Sequence, residues 1–102
     1  MDTTEFGRFS DPALLILSSL AGGEKHGYAM MEDIEEMTGV RLGPGTLYGA
    51  LSRLEQYGLI EALPAKERRQ PYRLTAQGAT FLRNYLASLK KIVTLGLKRL
   101  EA

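Results

Sequence analysis

Four stretches of the chain carry apolar residues at helical spacing, and two short stretches between the third and fourth read as strands. The first run, Ala13 to Leu20, is apolar on nearly every side, so it predicts a short, mostly buried helix. Asp11-Pro12 begins it, because an aspartate oxygen caps free N–H groups and proline suits the first helical position. Gly22-Gly23 stops it, since glycine takes the left-handed terminal conformation cheaply. In the second stretch, about residues 27–37, Tyr28, Met31, Ile34 and Met37 recur every third residue and read as one buried stripe. Met30, Met31 and Met37 are expected to fill the core. Glu32, Asp33, Glu35 and Glu36 would then share a solvated face, with His26 as a cap or packing residue and Gly39 as the end.

The third helix is expected to begin at Pro44 to Thr46 and to end at Gly58. Leu47, Leu51 and Leu54 form its core stripe. At about 100° per residue, Gly45, Gly49, Ser52 and Gln56 fall on the opposite side, flanked by Thr46 and Arg53. Stability does not explain that face, because a helical glycine costs about 1 kcal/mol relative to alanine. Small residues let another molecule come close.

Leu59 to Leu63 and Pro71 to Leu74 read as the strands of a hairpin, joined by a polar loop with three cations and one anion. No Asn-Gly turn fixes the geometry of that loop. Thr75 is placed to cap a last helix, Ala76 to Glu101. Leu82, Leu86, Leu89, Val93 and Leu100 keep a four-three spacing there, and Phe81, Tyr85, Ile92, Leu95 and Leu97 widen the stripe. A body of about 75 residues is too small to bury such a face. A symmetric partner is the expected cover, assisted by Phe6 and Phe9 ahead of the first helix.

Composition narrows the chemistry. At 102 residues, 44% hydrophobic and 25% charged, the chain is expected to be one soluble domain. No apolar run approaches the roughly 20 residues of a membrane span, and the polar start is unlike a signal peptide. A cytoplasmic protein is therefore expected. With no cysteine and a single histidine, the inventory for thiol chemistry, a thiolate or histidine metal cluster, or a catalytic triad is missing. The expectation is a protein that is not an enzyme and carries no cofactor or metal. The formal net charge of +1 hides a division: −6 over residues 1–40 and +7 over residues 41–102. The basic part coincides with the small-residue helix, the hairpin and the last helix, a distribution that points toward an anionic partner such as nucleic acid.

Three short helices followed by a two-stranded ribbon is the order of a winged helix-turn-helix, mainly α with a small β-hairpin. The runs KHGYAM (Lys25 to Met30), LGPGTLYGALSRLEQYGLI (Leu42 to Ile60) and RRQPYRLTAQG (Arg68 to Gly78) make the chain resemble the PadR family of bacterial transcriptional regulators over about residues 11–80. The resemblance implies a DNA-reading part, residues 1–75, and a C-terminal dimerisation helix, residues 76–102, as in the short, single-helix subgroup. It implies a homodimeric repressor that binds a pseudo-palindromic operator, released in many members by a small aromatic or hydrophobic effector. Carried over by position, Thr46, Tyr48, Gly49 and Ser52 match positions of the reading helix, Tyr28 a position near a phosphate, and Lys66, Arg68 and Arg69 the wing. From the residues themselves, Gly45 lies on the same outward face, while Arg53 and Arg73 add phosphate-binding capacity. The expected dimer contacts are Phe81, Leu82, Tyr85, Leu86, Leu89, Ile92, Val93, Leu97 and Leu100. An effector is expected in the apolar space between the dimer's terminal helices, near Phe81 and Tyr85. The alternative reading is a winged helix serving as a protein-interaction module without specific DNA binding, since the fold alone does not set the function.

Overall fold

The computed structural model describes residues 11–102; Phe6 and Phe9 lie outside the described residues. Seven elements follow in order: α1 (Pro12–Ala21), β1 (Lys25–His26), α2 (Gly27–Thr38), α3 (Pro44–Gln56), β2 (Ile60–Ala62), β3 (Pro71–Leu74) and α4 (Ala76–Glu101). The three expected caps are in place. An Asp11 carboxylate oxygen accepts from the Ala13 N–H at 3.1 Å. His26 Nδ1 accepts from the Ala29 N–H at 3.4 Å, and Thr75 Oγ1 from the Gly78 N–H at 2.9 Å.

Helix α1 is apolar all round because α2, α3, α4 and β3 all pack against it. Leu14, Leu15, Ile16, Leu17 and Leu20 are buried there with Met30 and Ile34 of α2, Leu47 and Leu51 of α3, and Ile60 of β2. Each such side chain contributes about 1.5–3 kcal/mol by leaving water.

The second helix corrects two expectations. Residues spaced by three drift by about 60° per step around a helix, so Tyr28 and Met37 end on opposite sides. Only the middle of the stripe reaches the core. Met30, Met31 and Ile34 are buried, whereas Tyr28 is 56% and Met37 48% exposed. Met37 is therefore not core filler. Asp33 also leaves the solvated face: it accepts a 2.6 Å hydrogen bond from the buried Ser19 hydroxyl. Lys25 joins them, with Nζ 2.6 Å from the Ser19 carbonyl oxygen and 3.9 Å from Asp33. A buried hydroxyl needs a partner, and that requirement turns the carboxylate inward.

The sheet has three strands, in the order β1-β3-β2, all antiparallel. The hairpin was expected; β1 was not, because two residues are too short to show a period. Lys25 faces Tyr72 and His26 faces Pro71, so the edge strand ties the start of α2 to the hairpin. Between β2 and β3 the chain turns at Glu67 and Arg68, whose φ angles of 50° and 66° are those of a primed two-residue turn. Lys66 and Arg69 bracket it with reciprocal backbone bonds of 2.9 and 2.8 Å. Left-handed conformations at residues other than glycine cost roughly 1 kcal/mol each. The wing tip is closed tightly in spite of that cost.

Helix α4 is welded at its start. Thr75 donates its hydroxyl to the Gly58 carbonyl at 2.6 Å and its N–H to the Leu59 carbonyl at 3.1 Å. Gly78 is buried against Leu59, and a Cβ there would collide with the Leu59 backbone. Leu82, expected at a dimer interface, is 5% exposed and belongs to the protomer's own core. It lies on the inner side of the first turns, where α4 crosses α1. One turn on, the Tyr85 hydroxyl donates to Asp11 at 2.5 Å. Leu89 packs on the edge of the core, and from Lys90 to the end every residue is exposed.

Candidate nucleic-acid interface

Helix α3 stands on Leu47, Ala50, Leu51 and Leu54, all buried, and this fixes which side faces out. Gly45, Thr46, Ser52 and Arg53 are exposed, with Gly49 half-buried among them. A Cβ at Gly45 would meet nothing within 4 Å, and one at Gly49 only Arg53 Nη1 at 3.8 Å. Packing within the protomer therefore does not call for either glycine. The N-cap residue, Gly43, makes no side-chain capping bond, so the first N–H groups of α3 keep their hydrogen-bonding capacity. An outward surface of this kind can take an anion at the helix start and the edge of a groove along its length.

The two tyrosines differ. Tyr48 is half-exposed, and its hydroxyl end lies over Gly27, where a Cβ would collide with it. The HGY and TLY runs, 20 positions apart in sequence, thus meet where α2 begins. Tyr72 of β3 lies nearby; burial foremost, with the charges of Glu55 and Tyr48, raises its phenol pKa. Tyr28 points outward, and the Arg41 guanidinium sits 6.0 Å above its ring. Sequence reasoning passed over Arg41. The only signal was that it is the first cation of the basic part of the chain.

The wing cations have unequal freedom. Lys66 and Arg68 are exposed and make no ion pair among the described residues. Arg69 Nη1 lies 3.2 Å from His26 Nε2, so the wing comes close to the start of α2. Arg73 is paired with Glu61 directly across the hairpin, so its charge is already partly answered. Among the described residues no group of three His, Asp or Glu side chains could hold a metal ion. No described helix is long and apolar enough to cross a membrane.

Behind α3, an apolar groove of about 430 Å³ opens between α1, α3 and α4, lined by Ala13, Leu54, Tyr57, Leu59 and Phe81 with Arg53 and Gln77 also in its wall. This groove lies within one chain and not between two terminal helices; Phe81 lines it, whereas Tyr85 is held by Asp11 instead. Tyr57, 72% exposed, escaped the sequence reading because it falls at the end of α3, off its stripe. Farther along α4, Leu86, Ile92, Val93, Leu95, Leu97 and Leu100 are exposed.

A helical triplet with a short wing, its third helix facing outward, defines a winged helix-turn-helix protein. Solved structures agree. A PadR family transcription regulator from hypervirulent Clostridium difficile superposes with a TM-score of 0.79 at 29% identity, over 87% of this chain and 97% of that one. A transcriptional regulator from Clostridium thermocellum gives 0.75 at 29% identity, over 84% and 89%. RosR of H. salinarum gives 0.71 at 27%, over 88% and 80%. In sequence, 85 residues are 44% identical to a 37.1 kDa protein in transposon TN4556 of Streptomyces fradiae; the match takes in 83% of this chain but only 25% of that protein. Residues 16–84 match the transcriptional regulator PadR-like family, and the chain belongs to it.

Proposed function

We propose that the protein is a sequence-specific DNA-binding repressor that acts as a homodimer on a pseudo-palindromic operator. The observation that carries this reading is the outward face of α3, where two glycines that the fold does not need stand beside Thr46, Ser52 and Arg53. In this reading α3 enters the major groove through Gly45, Thr46, Gly49 and Ser52, with Arg53 at its flank. Tyr28 and Tyr48 lie beside the groove edge, while Lys66, Arg68, Arg69 and, more weakly, Arg73 hold phosphates. Residues 1–75 read DNA; within residues 76–102, Leu86, Ile92, Val93, Leu97 and Leu100 meet a second copy, assisted by Phe81. A small aromatic or hydrophobic effector is placed, in this reading, in the apolar groove beside Phe81 and not between the terminal helices, because Tyr85 is engaged by Asp11. It would act by shifting the separation of the two reading heads.

The test is an electrophoretic mobility shift on the DNA upstream of the protein's own gene. The expected result is a sequence-preferring complex. With about six to ten phosphates bound, its affinity should fall about 10³–10⁵-fold between roughly 50 and 200 mM salt. Replacing Arg68 and Arg69 together by alanine should weaken binding to all sequences alike and flatten the salt dependence, whereas Ser52→Ala should change sequence preference. Binding with no sequence preference and no salt slope would overturn the reading in favour of a protein-interaction module. Sedimentation reports on the dimer, and titration of the complex with aromatic compounds reports on the effector.

A further inference from the structure

Arg41 and Tyr28 form a cation–aromatic pair on the outside of the protein. It sits at the turn between α2 and α3, two residues before the cap of the outward helix. Neither partner serves the core: Tyr28 is 56% exposed and the Arg41 side chain 49%. The attraction of a cation for a ring is weak at an exposed site, enough to bias where the guanidinium goes and too little to anchor the fold. Glu35, one helical turn before Gly39, lies 3.7 Å from Arg41 Nε and answers its charge in the absence of another anion.

We infer that Arg41, steered by the ring of Tyr28, is a phosphate-binding residue of the DNA interface, and that Glu35 is the intramolecular competitor the phosphate displaces. The inference rests on the DNA-binding reading above and adds to it a contact that neither α3 nor the wing supplies. Arginine suits the role, because its planar fork can stack on the tyrosine and still present N–H donors to phosphate oxygens. Tyr28 is then a positioning residue. Its ring matters for the salt dependence of binding, although it carries no charge.

The experiment measures binding of the full chain to a mixed-sequence DNA duplex, several helical turns long, by fluorescence anisotropy across a range of salt. Phosphate binding is independent of sequence, so the operator need not be known. Arg41→Ala should lower the slope of log affinity against log salt by about 0.9 for each phosphate that is no longer neutralised. Tyr28→Phe should keep the wild-type slope, while Tyr28→Ala should lower it. A neutral side chain can change that slope only through the cation it positions. Glu35→Gln should bind about two- to fivefold tighter, and more so than Glu36→Gln, which removes the same charge from a residue that makes no ion pair among the described residues. An unchanged slope in Arg41→Ala, with a lowered one in the Arg68/Arg69 double variant, would overturn the role of Arg41 and leave DNA binding standing. No binding by the wild-type protein at the lowest salt would overturn both.

Discussion

The two halves of α4 share one apolar period and have opposite fates. From Ala76 to Leu89 the centre of the stripe is consumed within the chain, although Phe81 and Leu86 beside it stay exposed: Gly78 lies on the Leu59 backbone, Leu82 is in the core, and Tyr85 is tied to Asp11. From Lys90 onward the same side of the helix carries Ile92 at 67% exposure and Leu100 at 84%, against nothing within the protomer. The difference teaches that periodicity reports a face to be covered but not who covers it. The first half is covered because α1 and β3 are near. The second runs past the end of the body.

Substitutions can break or sharpen this contrast. Leu82→Ala should cost about 2–5 kcal/mol in urea unfolding, as expected for a truncated core leucine. Leu100→Ala should leave unfolding of dilute protein within about 0.5 kcal/mol and instead raise the concentration at which the proposed dimer dissociates. Equal losses from the two would erase the distinction between the halves. Gly78→Ala comes next, at about 1–3 kcal/mol, because a methyl group has no room beside a backbone carbonyl that cannot rotate away.

Tyr85→Phe should cost about 1 kcal/mol by removing the bond to Asp11. That bond, more than burial, raises the tyrosine's pKa, since the carboxylate accepts from the neutral phenol and opposes its ionisation. A folded-state pKa above the unfolded value places the contribution at pH below about 10 and removes it as the pH rises through the raised value. Thermal melts of wild type and Tyr85→Phe should therefore converge under alkaline conditions. The smallest effect has the opposite sign. Gly49→Ala should stabilise the protein by up to about 1 kcal/mol, because the site is open and alanine is the better helix former. The same change should weaken the DNA complex in a mobility shift. A variant that gained stability at undiminished DNA affinity would remove Gly49 from the interface.

Much of this molecule was legible as sequence. The caps at Asp11, His26 and Thr75, the all-apolar α1, the stripe of Leu47, Leu51 and Leu54, and the exposed glycine face opposite it follow from local chemistry and from helical geometry, which need only neighbours along the chain. The motifs also carried the family. What stayed hidden were particular contacts between segments distant in the chain. Strand β1 exists only because β3 lies beside it. Asp33 turns inward only because Ser19 is buried, and Arg41 matters only because Tyr28 lies beneath it. Leu82 and Leu100 have the same residue type and fall in the same stripe. Their assignment to core and to surface was decided by where the body ends, because burial depends on atoms brought near by the fold and not on the order of residues in the chain.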